Sequence, residues 1–328
     1  MAEEEPCSLA SIARWQRLPE KEFEKQYKDH LSGFHQWDQK EHAEKYILFP
    51  ENIGLYLSLD EVELSNGELY TILTNKEFHG KKRALVAMVQ GTKSEDVALI
   101  LAKIPQDKRN KVKEITLDMA ETMERIVCLS FPNATPVTDR FHVQQLVSEA
   151  AQEVRIILRK EAIREENEKI KLAREKSERY HPQVFENGDT KKQLLARSRY
   201  LLFKPKSRWN DRQLKRSEIL FKEFPEIKSV YNLSMMFRSC YEKSKTMQEA
   251  KNRLDKWYKK VAEKNIDSFI VAAESIRWHE ETILNYFERK STNASAESFN
   301  AKLKNFRTVV RGVVDKKFYL FRVAKLYA

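Results

Sequence analysis

Along residues 54–64, "GLYLSLDEVEL", Leu55, Leu57 and Leu59 alternate with Tyr56, Ser58 and Asp60, and this period of two predicts a strand. Asn66-Gly67, within "SNGE", is the dipeptide of a tight hairpin turn, so "LYTILT" is expected to return beside the first strand. "RALVAMVQG" predicts a third strand. In "SEDVALILAKI", Val97, Ile100, Leu101 and Ile104 share one helical face; "VKEITLDMA" then returns to strand, "ETMERIVCLSF" to helix and "TPVTD" to a short strand. Three antiparallel strands followed by helix, strand, helix and strand make a mixed α/β sheet.

The texture on either side is helical. Residues 1–52 predict short helices, with Phe23, Tyr27, Leu31, Phe34 and Trp37 near helical spacing and best placed as a packing collar for the sheet. From about 141 to 290 almost nothing resembles a strand. That stretch opens with a long charged amphipathic run whose alternating signs at i and i+4 fit a solvated helix face.

Composition narrows the partners. Of 328 residues, 60 are Lys or Arg against 49 Asp or Glu, a formal charge of +11 that points to a polyanion such as nucleic acid. The three cysteines, Cys7, Cys128 and Cys240, have no paired spacing, and the seven histidines show no HxxxH or Cys-His clustering, so a zinc module is excluded. No apolar run reaches the roughly 18 to 20 residues of a membrane span, and "MAEEEP" is unlike a signal peptide; a cytoplasmic location is expected.

Chemistry centres on three acids. "STNASAESFNAKLK" is expected to start a helix near Asn293 or Ser295, where small polar residues cap well. Phe299, Leu303, Phe306 and Val310 form its apolar stripe, and Glu297, Asn300, Lys304, Arg307 and Arg311 lie on the opposite face until Gly312 ends the pattern. Asp60 ends the first strand and Asp118 the fourth, and these strands are neighbours in a sheet of this order. Two strand aspartates and a helix glutamate suit a pair of Mg²⁺ ions about 4 Å apart, which clamp the attacking and leaving oxygens of phosphoryl transfer. Each acid also has a local role open to it: Asp60 beginning a turn with Glu61, Asp118 capping a helix, Glu297 complementing a helix dipole.

The segments "LSLDEVELSNGELYTILTN", "TLDMAETMERIVCLSFPNATPVTDRFHVQQL" and "ILNYFERKSTNASAESFNAKLKNFRTVVRGV" resemble, from about residue 30 onward, bacterial insertion-sequence transposases of the ISL-three type, closest to the ISAon-type branch. "DRFHV" and "TNASAESFNAK" are the specific signatures. The resemblance implies an RNase H-like mixed sheet with a large all-helical insertion and an N-terminal helical segment, divided as 1–52, 53–142, 143–285 and 286–328. It implies a DDE triad of Asp60, Asp118 and Glu297 holding two Mg²⁺, with Mn²⁺ as the alternative ion, and Asp139, His142 and Asn300 in support. Implied partners are terminal inverted repeats and target DNA, a second copy of the chain, and a separate end-recognising polypeptide, in a bacterial, nucleoid-associated setting. A structure-specific nuclease on the same core and an inactive DNA-binding derivative remain the competing readings.

Basic side chains interleave with aromatics in "ARSRYLLFKPKSRWNDRQLKR". Arg208 and Arg212 are candidates for phosphate contact and Trp209 for stacking on an unpaired base, with a place in the helical core as its other reading. The run from Lys302 to Lys325, which contains Lys304, Arg307, Arg311 and Arg322 against the single acid Asp315, is the second candidate DNA surface.

Overall fold

The computed structural model describes residues 2–64, 67–310 and 315–328. The Ser65-Asn66 part of the expected hairpin turn, and the expected helix stop at Gly312, lie outside the described residues. Helices α1 (Leu9–Trp15) and α2 (Glu20–Gln26) precede strands β1 (Tyr46–Leu48), β2 (Tyr56–Glu63), β3 (Leu69–Asn75) and β4 (Leu85–Gln90). There follow α3 (Ser94–Leu101), α4 (Gln106–Arg109), β5 (Glu114–Leu117), α5 (Glu121–Ser130) and β6 (Thr135–Thr138). Eight helices come next: α6 (Arg140–Glu175), α7 (Lys191–Arg197), α8 (Arg199–Leu202), α9 (Asp211–Glu223), α10 (Pro225–Lys243), α11 (Met247–Lys264), α12 (Asp267–Trp278) and α13 (Glu280–Arg289). The chain closes with α14 (Ala294–Val309) and α15 (Lys316–Tyr327). It falls into two compact units, residues 1–139 with 289–328, and residues 140–288.

In the first unit the six strands run in the order β1-β4-β3-β2-β5-β6. Strands β2, β3 and β4 are antiparallel, and β5 and β6 continue the sheet parallel to β2, which is an RNase H-like arrangement. Period-two alternation sends Leu57, Leu59, Leu73, Ile115 and Leu117 to one face, against Val97 and Leu101 of α3 and Met123, Ile126 and Val127 of α5. Val62, Tyr70, Ile72 and Met88 go to the other face, against Phe299, Leu303 and Phe306 of α14 and Leu320 and Val323 of α15. Those three α14 side chains are fully buried, each contributing about 1.5–3 kcal/mol to holding the helix on the sheet.

Strand β1 was not expected inside the N-terminal segment. It pairs Tyr46 with Val89 and Leu48 with Ala87 as an edge strand, and three residues are too few to display alternation. The aromatic spacing of that segment has a plain outcome: Tyr27 and Phe34 pack with Leu9 and Ile12 against Phe318 and Phe321 of α15.

The helical unit has its own core. Helix α6 is a single 36-residue helix, and α7 and α9 start with reciprocal capping boxes, Thr190 with Gln193 and Asn210 with Gln213. Leu194, Leu201, Leu220 and Ile227 pack around Trp209. Among the described residues no helix is long and apolar enough to cross a membrane.

Buried Glu68, just ahead of β3, receives Arg307 of α14 at 3.3 Å and Lys316 of α15 at 3.2 Å. The Arg307 guanidinium also sits 5.0 Å from the centre of the Tyr319 ring. Arg307 is therefore turned onto the sheet and not outward, a correction to the expectation that it serves a free basic face: its charge neutralises a buried carboxylate. Replacing Glu68 with Ala should lower the unfolding free energy by about 2–3 kcal/mol, since it strands a largely buried guanidinium; urea denaturation followed by circular dichroism measures it.

Candidate active site

Strands β2, β5 and β6 lie side by side and parallel, with Ser58 opposite Thr116 and Leu117 opposite Thr138. Two residues beyond Ser58 and Thr116 stand Asp60 and Asp118; one residue beyond Leu117 and Thr138 stand Asp118 and Asp139. The register thus aligns three aspartates across three neighbouring strands, spaced by about 4.8 Å per strand; Asp118 and Asp139 stand just past the ends of β5 and β6, whereas Asp60, expected to end its strand, lies inside β2 and pairs with Ile72 of β3. The alignment persists past the strand ends, because the Asp139 backbone N–H donates to the Leu117 carbonyl at 2.8 Å. Leu57, Leu59, Ile115 and Leu117 fill the α3–α5 face, so alternation sends all three aspartates to the α14 face.

Helix α14 is fixed over this row at two points. Its N-cap residue, Asn293, donates its backbone N–H to Asp139 Oδ1 at 3.2 Å. Farther along, the Asn300 side-chain amide donates to Asp60 Oδ2 at 2.7 Å, and Asp60 Oδ1 accepts the N–H of Glu61 at 2.8 Å. Glu297 follows Asn293 by four residues and precedes Asn300 by three, so it stands on the same helix face between the two anchors. Carboxylate oxygens of Glu297 and Asp139 lie within 4.8 Å of each other, close enough to share a cation. Sheet and helix thus bring Glu297 to Asp139, while Asp60 and Asp118 stand in the same row of the sheet but do not join that close group among the described residues. The model of the ISL3-type family, whose description is transposase, matches residues 57–323, from β2 into α15. The chain belongs to the ISL3 family of DDE transposases. No curated protein and no solved structure matches it at a significant level.

Transposases act on DNA, and DDE members use divalent metal. The donor set here fits that need: carboxylate oxygens are hard ligands, suited to Mg²⁺ or Mn²⁺ and unlike the thiolate and imidazole sets of zinc. Like charge is already costly at this place. Glu61 is shifted upward from the ordinary carboxylate range by burial and then by the charge of Asp118.

Beside the acids the transposase carries a band of cations. The Lys76 ammonium donates to Thr116 Oγ1 at 2.5 Å and lies 3.6 Å from Glu114. Burial pushes its pKa below the usual lysine value, against the opposing pull of Glu114. Arg289 donates to the Tyr56 hydroxyl at 2.5 Å, stacks 4.0 Å from the centre of that ring, and reaches Glu114 at 4.0 Å. Lys76 and Arg289 were not singled out from the sequence, because each stands alone there and their proximity arises from the β3 end meeting the approach to α14.

The remaining predicted residues are distributed as follows. Asp60 and Asn300 are buried and bonded to each other, so Asn300 faces the sheet although the helical wheel set it with the outward polar residues. His142 lies in the first turn of α6, three residues after Asp139. Lys304 is exposed on α14, while Arg311 lies outside the described residues. In the helical unit Arg208 and Arg212 are exposed. Trp209 corrects the stacking expectation: it is 8% exposed, packs on Tyr231 and Phe221, and donates its indole N–H to the Leu201 carbonyl at 3.0 Å. The exposed ring of that basic stretch is Tyr200, with the Arg199 guanidinium 5.4 Å from its centre. Arg322, part of the predicted C-terminal DNA surface, is 3% exposed and donates to the Ala2 carbonyl at 2.8 Å, which removes it from any surface.

Asn300→Ala takes the short donor from a buried carboxylate and should cost about 1–3 kcal/mol of stability. Guanidinium denaturation of wild type and variant measures the difference, and Asn300→Asp, which sets a second carboxylate against Asp60, should cost more.

Proposed function

We propose that this chain cuts DNA at the ends of an insertion sequence and joins the freed ends to a target, with Asp60, Asp118 and Glu297 as its metal-holding acids. The observation that carries this reading is the placing of α14. Its two anchors, to Asp139 and to Asp60, fix the helix segment that carries Glu297, whose carboxylate lies close to that of Asp139 in the row of aspartates; this supports the reading.

Mg²⁺ is the proposed ion and Mn²⁺ its substitute; when bound, a pair of such ions activates the attacking oxygen and stabilises the leaving one. Asp60 and Asp118 would bind from the sheet and Glu297 from the helix, and Asp139 would both pin the start of α14 and share the cation side of Glu297. His142, next along from Asp139, is proposed to support that carboxylate. In the first reaction the water oxygen bonds to phosphorus as the bond to the strand's 3′ oxygen breaks, leaving a 3′-hydroxyl. In the second, that hydroxyl bonds to a target phosphorus and displaces the target's own 3′ oxygen. No enzyme side chain becomes covalently attached.

Exposed Lys304, Arg208 and Arg212 are proposed phosphate contacts that position DNA without reading its sequence. Two element ends handled together call for at least two copies of the chain, and end recognition is assigned to a separate DNA-binding polypeptide.

Glu297→Gln keeps the shape of the side chain and removes its charge. It should lower cleavage of an end-bearing duplex about a thousandfold or more, the several kcal/mol that metal chemistry supplies, with duplex affinity held within about threefold. Full cleavage by this variant would remove the triad assignment. With wild type, joined oligonucleotide products support a transposase, whereas cleavage without joining would assign the same acids to a nuclease.

A further inference from the structure

The hydroxyl-rich "STNAS" ahead of Glu297 has no role in the acid cluster itself. Together with the cations described above it lines a groove of 570 Å³ that includes Lys76, His79, Arg289, Lys290, Ser295 and Ser298. Among the described residues, those lining it include no acid. Positive charge so concentrated is unfavourable unless a partner neutralises it, and Glu114 beneath the groove serves Lys76 and Arg289 alone.

Two further features set the chemistry of that partner. Lys290 holds a left-handed backbone, φ 56°, uncommon for a residue with a side chain and costing on the order of 1 kcal/mol. The first turn of α14 borders the same groove, and Asn293 gives it no side-chain cap, so backbone N–H groups of that turn are left for an external acceptor. Lysine, arginine, serine hydroxyls and a helix N-terminus together match a tetrahedral oxyanion.

We infer that this groove is a phosphodiester subsite, holding the backbone phosphate of the cut DNA strand that neighbours the phosphate under attack. The inference rests on the proposed acid site for its place in the reaction: Glu297 lies two residues from Ser295 and one from Ser298, so a strand crossing the acids meets the groove next. Its cations contact phosphate and its serine hydroxyls donate to the same oxygens, so the subsite positions the strand and carries no base preference.

The test uses the full chain in EDTA, with a fluorescein-labelled duplex of about 30 base pairs titrated by fluorescence anisotropy over a range of KCl. Lys290→Ala should reduce the slope of log affinity against log salt by about one, the loss of a single phosphate contact. Ser298→Glu, which places a carboxylate in the groove, should weaken binding tenfold or more at low salt. Circular dichroism confirms that each variant is folded; a variant that is misfolded is replaced by Lys290→Gln or Ser295→Asp, read in the same way. Wild-type slopes and affinities for folded variants at both positions would overturn the subsite. Glu297→Gln, assayed for cleavage separately in Mg²⁺ without EDTA, separates the two proposals. If it still cleaves while Lys290→Ala loses its contact, the acid assignment fails and the groove stands; if it is inactive while the groove variants bind like wild type, the reverse holds.

Discussion

Three carboxylates lined up across adjacent strands repel one another, and what is built around them has to hold them there. At about 5 Å and an effective dielectric of about 20, each neighbouring pair costs on the order of 3 kcal/mol when both are ionised. The Asn300 amide on Asp60 and the Asn293 N–H on Asp139 offset part of this by donating to carboxylate oxygens. Those donors sit on α14, so the electrostatics of the row and the docking of one helix are a single problem.

That helix is secured by packing. Phe299, Leu303 and Phe306 enter the sheet face beside Tyr70 and Ile72, α15 covers them, and the N-terminal aromatic collar buries α15 in turn. Glu68 adds a polar tie by receiving one cation from each C-terminal helix. A compact unit of its own, residues 140–288, is inserted between β6 and the return to α14, yet the anchors that set the acids all lie in the other unit.

Much of this was legible in the chain because it depends on local periodicity. Alternation exposes the long strands, and the order of elements allows the strands of Asp60 and Asp118 to be neighbours, as β2 and β5 are. What failed did so for specific reasons. A helical wheel gives α14 one apolar stripe and one free face, but the helix crosses strand ends where polar partners wait, so Asn300 and Arg307 turn inward to Asp60 and Glu68. Flanking cations made Trp209 look like a DNA contact, whereas burial of its ring was decided by Tyr231 and Phe221, distant in sequence. Arg322 misled in the same way, since a charged residue on a short helix gives no sign of the carbonyl that satisfies it. Asp139 was visible as a strand-end acid, but its standing in line with the other two came from pairing of β5 with β6.

The bond between Asp60 and Asn300 joins residues separated by most of the chain. During synthesis the sheet aspartates emerge first, and the helix that carries Asn300 and Glu297 follows them only after the whole of residues 140–288. A message broken anywhere before the codon for Glu297 therefore yields a product that retains the sheet aspartates and part of the basic surface yet lacks the last acid. Such fragments also lack the α14 and α15 side chains that cover one face of the sheet, so loss of the last acid and loss of that core come together.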